Sequence, residues 1–266
     1  MTTLATYRSS RELFANLTLR ELRSKYKRSF LGWAWSTVNP LANMLVYTIV
    51  FKYFFHARLG PGEPSGLDVY SLWLLSAMLP WNFFQNSVMT AISSLVNNSN
   101  LIKKTYFPRD LLPAANVAAG LVSHAIEMGL LLVALLAFGN YRALEELPFV
   151  VLLVFLTALF GLGFGLMLSV LNVYFRDIQH FVTILFMVWF YMTPIIYPIA
   201  FLHSRLQTIM KINPMTDMAL SFQATLYDGT HPGWIELSYF ALAAIALFVV
   251  GRSVFNRLEG GLAEEL

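Results

Sequence analysis

The chain contains no cysteine. Disulfides, thiol catalysis and cysteine-ligated zinc or iron–sulfur centres are therefore excluded. Charge is scarce too. Asp, Glu, Lys and Arg make up 12% of the 266 residues, against roughly 25% in soluble domains. No G-x-x-x-x-G-K-[ST] sequence occurs, so the chain has no phosphate-binding loop of that kind. The first 30 residues are polar and basic with no early apolar core, so no cleavable signal peptide is expected and the first apolar span is read as an uncleaved anchor. No loop holds the carboxylate pair of a glycosidase. No acidic cluster suggests metal-dependent glycosyl transfer, and no broad basic surface suggests nucleic acid. Stretches between apolar runs stay below about 35 residues, too short for an independent catalytic domain.

What is abundant is apolar sequence, 57% of the chain, with a mean hydropathy of +0.60. Six runs, about 35–55, 69–92, 111–138, 147–171, 181–202 and 235–254, are each long enough to cross a ~30 Å hydrocarbon core as a helix. They are continuously apolar rather than alternating, which favours helices over a barrel. The fourth is charge-free. The second is the weakest, holding Pro80, Asn82, Gln85 and Asn86, and the sixth is short. The expected fold is an all-α membrane protein with six transmembrane helices. Thirteen of the eighteen Lys and Arg residues fall on the side of the N-terminal segment, the 97–113 loop, the loop after span four and the tail. Both termini and these loops are therefore expected in the cytoplasm.

The N-terminal segment reads as an amphipathic helix. Ser9-x-x-Glu12 has the capping-box pattern. Glu12, Asn16, Arg20, Arg23 and Lys27 share one helical face, while Leu13, Phe14 and Leu17 lie away from it. An anchor on anionic lipid and an interface helix touching a cytoplasmic partner both fit this pattern. The stretch 97–113, NNSNLIKKTYFPRDLLP, is basic but also apolar and aromatic. A solvated linker does not need such residues, so a docking surface is expected there. The outer stretch 200–234 is long and moderately apolar, and Asn213-Pro214 breaks it. Two re-entrant helices, or a small helical cap, would account for it.

Inside the spans, Gly161, Gly165 and Ser169 form a small-residue face for close helix packing. His124 and Glu127 share a face of span three, as a structural pair or as part of a proton relay. Asn82, Gln85, Asn86 and Ser93 lie on one side of span two, suited to gluing helices or to bonding sugar hydroxyls. Tyr47, Phe51 and Phe55 form a stripe on span one; Phe186, Phe190 and Tyr197 form another on span five, with Trp189 beside it. Such stripes pack or face lipid, and they also suit stacked sugar rings.

Several segments, read together, resemble one family. The run 20–35 (RELRSKYKRSFLGWAW), the LIKK…FPR…LP pattern of 97–113, NVYFRDI at 172–178, TPIIYP at 193–198 and NPMT at 213–216 are similar, in order and spacing, to ABC-2 type permeases that export polysaccharides such as O-antigen, teichoic acid or galactan. The resemblance implies a homodimer in the bacterial inner membrane, paired with two copies of a separate ABC ATPase subunit that carries ATP and Mg. This chain would then hold no cofactor or metal and be a transport subunit, not an enzyme. Residues 1–34 would form a cytoplasmic interface segment and 35–266 the six-helix transmembrane domain. Coupling to the ATPase would fall to Asn97, Asn98, Ser99, Asn100, Leu101, Ile102, Lys103, Lys104 and Tyr106, with Arg176, Asp177 and the acidic tail (Glu259, Glu264, Glu265) as secondary contacts. Asn213, Pro214 and Met215 would belong to an outer gate, and the two aromatic stripes would line a path for a lipid-linked glycan. A small-drug or lipid exporter of the same family is the alternative, followed by a proton-coupled porter built on Glu127.

Overall fold

A computed structural model describes residues 2–25, 34–54 and 60–266; Lys27 and Phe55, and the side chain of Phe51, lie outside the described residues. The described residues contain helices and no strand. Three of the helices are long and apolar enough to cross a membrane: α5 (Leu111–Ala137), α7 (Leu147–Tyr174) and the segment Trp234–Gly261, which begins with α11 (Trp234–Leu258).

Helix α7 is the axis of the bundle, packing against α3 (Tyr70–Asn97), α5 and α11. Its sequence explains this place. It carries no charge, its Pro148 sits in the first turn where no N–H partner is lost, and its glycines let neighbours approach. A Cβ on Gly161 would meet the Phe84 ring edge at 3.6 Å and Val88 at 4.0 Å, and one on Gly165 would meet the Ala91 Cβ at 2.9 Å, so both face α3. Ser169 is buried with them. Gly163 points the other way. A Cβ there would lie 2.8 Å from the backbone of Leu247, and one on Gly251 would lie 2.1 Å from the Gly163 carbonyl oxygen. Helices α7 and α11 thus touch backbone to backbone.

The sequence reading needs three adjustments. The first helix, α1 (Thr2–Lys25), runs through Ser9 instead of starting there, because no proline or glycine interrupts residues 2–8. The first apolar run is helix α2 (Trp35–Thr48) continued by a π-helical turn, Ile49–Phe54. The fifth run is helical only over Ile178–Tyr191, α8. It stops at Thr193-Pro194, where proline pushes the preceding residue out of the helical region; the Thr193 hydroxyl donates to the Trp189 carbonyl at 2.9 Å.

Two apolar clusters divide the bundle along its length. The larger joins α3 and α7 to α8, α11 and α10 (Pro214–Phe222). The smaller gathers Leu17 of α1, Leu95, Ile102, Phe107, Leu112, Val170, Val173, Phe255 and Leu262. It therefore unites the N-terminal helix, the 97–113 stretch, the end of α7 and the tail at one end of the molecule.

Candidate functional site

At that end, α3 breaks at Asn98 and a short helix, α4 (Ser99–Lys104), leaves it. The Asn98 amide donates to the Ser94 carbonyl at 2.8 Å, and its oxygen accepts from the Arg20 guanidinium of α1, also at 2.8 Å. Side-chain spacing then splits α4 into two faces. Ile102 is buried and Phe107 follows it inward, whereas Lys103, Lys104 and Asn100 are exposed and Tyr106 is completely so, at 101%. A tyrosine that touches nothing on its own chain, next to two lysines on an anchored helix, has the chemistry of a docking surface. Arg176 and Asp177, in the turn after α7, are exposed at the same end.

The surrounding contacts hold this surface rigid. Arg252 of α11 pairs with Asp110, and Arg109 donates to the Glu259 carbonyl at 2.5 Å. Of the polar face of α1, Glu12, Asn16, Arg20 and Arg23 are all exposed, while Leu17 and Leu22 are buried against the bundle.

The opposite end is organised by Asn213. It caps α10 by accepting from the Met215 N–H at 3.1 Å, and Pro214 occupies the first turn. The same amide oxygen accepts from the Trp189 indole N–H at 2.9 Å, and the amide nitrogen donates to the Thr193 hydroxyl at 3.1 Å. The end of α8 and the start of α10 are thus one unit. Met215, Met218, Ala219 and Phe222 are buried in the larger cluster, whereas the preceding helix α9 (Ser204–Met210) lies largely at the surface.

The aromatic residues of α2 and α8 meet as well, but around a hub that the stripes did not reveal. Trp81 of α3 lies 5.7 Å from Phe190, 6.0 Å from Trp189 and 6.3 Å from Phe186, ring centre to ring centre. Tyr47 reaches Phe190 at 5.9 Å. Phe186 is fully buried, stacked on Trp189 and against Phe84. Tyr47, Trp189, Phe190 and Tyr197 are partly accessible, and the Tyr197 hydroxyl donates to the Tyr191 carbonyl at 2.8 Å. Trp81 and Phe84 escaped the sequence reading because span two was dominated by its amides; the Pro80-Trp81 pair was the available signal.

Relatives decide the family. The ABC-2 type transporter family pattern matches residues 12–227. The chain belongs to the ABC-2 type transporter family. It is 31% identical to the O-antigen export system permease protein RfbA of Klebsiella pneumoniae, over 96% of this chain and 95% of the relative. It is also 31% identical to the protein of the same name from Myxococcus xanthus, over 96% of each. With the polysialic acid transport protein KpsM of Escherichia coli it shares 21% over 91% of this chain and 92% of the relative.

Two tests of this ABC-2 chain follow from the end organised by Asn213. Asn213→Leu removes the α10 cap and leaves the Trp189 N–H without its acceptor, at a cost of about 2–4 kcal/mol from the cap and the stranded donor together. A thermal melt of the detergent-solubilised protein should fall clearly, and Asn213→Asp, which keeps the acceptor, should fall less. Asp217 of α10 is buried, and its carboxyl is raised from 3.8 to about 7, chiefly by that burial, with Glu236 adding to the rise and Lys211 opposing it. Between those two values the folded protein binds more protons than the unfolded one, so this group lowers stability as pH rises through that window. Asp217→Asn is therefore expected to melt higher than wild type near pH 8, by a margin that is much smaller near pH 4.5. An equal melting difference at both values would rule out the buried acid as its source.

Proposed function

We propose that this chain is the permease subunit of an ATP-driven exporter that moves a lipid-linked polysaccharide from the cytoplasmic side across the bacterial inner membrane. The observation that carries the reading is the match along almost the whole chain to O-antigen export permeases. In this reading six spans cross the membrane: α2 with its π-helical turn, α3, α5, α7, α8 and α11. Both termini are cytoplasmic, residues 1–34 form the interface segment, and 35–266 form the transmembrane domain. The functional unit is a homodimer with two ATPase subunits, which bind ATP and Mg. Residues Asn97 to Lys104 with Tyr106 receive the ATPase, and Arg176 and Asp177 are secondary contacts. The region of α9 and α10 is re-entrant, with Asn213, Pro214 and Met215 at its turn, and the accessible aromatics around Tyr47, Trp189, Phe190 and Tyr197 line the path.

The anchored α4, with its basic and aromatic outer face, supports the coupling role. The buried α10 tied to α8 supports re-entry, since backbone off the spans must be shielded by protein. Depletion of the chain is the test. Surface glycan should disappear and a lipid-linked glycan accumulate on the cytoplasmic side. Unchanged surface glycan together with altered efflux of a small drug or lipid would overturn the glycan reading. Export that survives inactivation of the partner ATPase would instead favour a proton-driven porter.

A further inference from the structure

A cavity of about 780 Å³ lies between α2, α3 and α5, reaching the C-terminal half of α1 through Glu21 and Ser24. That volume is in the ~300–1,000 Å³ range of small-ligand sites. It extends from Thr90 to Asn82 along α3 and from Asn116 to Glu127 along α5, about 12 and 17 Å at the helical rise.

Its wall is unusual for a membrane protein. Asn39 and Asn43 of α2 face Asn82 and Asn86 of α3 across it, and none of these four side chains makes a hydrogen bond among the described residues. Amides that glue helices together bond across the interface; these do not. Deeper in the wall, Ser87, Ser123 and both ring nitrogens of His124 are buried without a hydrogen-bond partner. Native proteins rarely leave such groups unmatched. His124 is held flat against Phe83, ring centres 4.7 Å apart, and lies 3.8 Å from the Glu127 carboxyl, beyond hydrogen-bond reach.

The lining also selects a chemistry. Among the described residues no lysine or arginine borders the cavity, while Glu21 and Glu127 do. A phosphate would meet two carboxyl groups there. An acyl tail would leave the amides unsatisfied. A hydroxyl-rich neutral ring suits them, because each amide offers two donors and one acceptor to adjacent hydroxyls, and Phe83 and Trp35 supply apolar ring faces. We infer that this cavity binds neutral sugar rings of the exported glycan before they reach the aromatic cluster. The inference rests on the glycan-export reading above and adds a site to it.

The chain's lack of cysteine provides the experiment. Asn86→Cys is labelled with N-ethylmaleimide in cells that make the glycan and in cells whose first sugar transfer is blocked, with Glu145→Cys on the short helix α6 (Arg142–Glu145) as reference. Labelling at position 86 should drop several-fold when glycan is made, and labelling at 145 should not change. In parallel, the pair Asn43→Leu and Asn86→Leu should lower surface glycan about tenfold, the loss of two amide hydrogen bonds, while the protein still co-purifies with its ATPase. Equal labelling at position 86 in both cell types, no labelling in either, or full export by the double variant overturns the cavity site. If depletion of the whole chain leaves surface glycan intact, the export reading falls first and takes this site with it. If depletion blocks export and labelling is still equal, only the site falls.

Discussion

Gly251→Ala is expected to eliminate most of the folded protein, while Gly161→Ala should leave it nearly intact. The two substitutions add the same methyl group to helices in the same bundle, so propensity and hydrophobicity do not separate them. The obstacles do. At Gly251 the new Cβ would sit 2.1 Å from the Gly163 carbonyl oxygen and 2.8 Å from its carbonyl carbon. Those atoms are backbone, held in the hydrogen bonds of a 28-residue helix, and no rotamer change can clear them. The two helices must move apart along their whole contact. Overpacking of a core ordinarily costs about 1–3 kcal/mol, with larger values where the backbone is the obstacle; against a total stability of about 5–15 kcal/mol, such a loss depopulates the native state. At Gly161 the nearest atom is a Phe84 ring carbon at 3.6 Å, an ordinary contact. Gly165→Ala should fall between, since it meets the Ala91 methyl at 2.9 Å and α3 must give slightly. The monodisperse fraction of detergent-solubilised protein on size-exclusion chromatography, with its melting temperature, measures the series. Equal values for Gly161→Ala and Gly251→Ala would refute backbone contact between α7 and α11.

The same glycines mark how far the sequence could be read. The pattern Gly161, Gly165, Ser169 announced one close-packed face, and that face meets α3. Gly163, between them, belongs to a second face whose partner, Gly251, lies far along the chain and inside a run with no glycine pattern of its own. Apolar runs revealed α5, α7 and α11 because membrane helices are written in local composition. The early end of α8 was written in Pro194 but outweighed by the hydrophobicity of 195–202. At the end organised by Asn213, Asn213-Pro214 signalled a helix start, yet the indole that shares the Asn213 oxygen is 24 positions away. At the other end, Arg252 and Asp110 are 142 positions apart, and Arg109 and Glu259 are 150 apart. No local signal encodes such ties. The cavity is an intermediate case. Its α3 amides were visible as a polar side of span two, but that Asn82 and Asn86 bond no neighbour among the described residues emerges only once α2 and α5 are in place.

The second large effect concerns α4. A variant carrying Lys103→Glu, Lys104→Glu and Tyr106→Ala is expected to insert and fold as wild type, yet to lose its ATPase on purification and to lose export. Folding is spared because all three side chains are exposed and none contributes to the cluster beneath. Partner binding is not spared. Truncating an interface aromatic that serves as an anchor costs at least about 2 kcal/mol, roughly 30-fold in affinity. Reversing two neighbouring cations adds repulsion wherever the partner surface is acidic, slowing association and making it sensitive to salt. Ile102→Ala separates docking from transmission. Its side chain faces the cluster that also holds Leu95 of α3 and Leu112 of α5, and the cavity left behind costs about 2–5 kcal/mol. This variant keeps the outer face but loosens its root, so the ATPase should still bind, though less tightly, while hydrolysis no longer drives export. Co-purification and surface glycan, measured on both variants, give the answer. Normal assembly and normal export by the triple variant would remove α4 from the coupling path, and Ile102→Ala behaving like the triple variant would show that α4 docks the ATPase without acting as a lever.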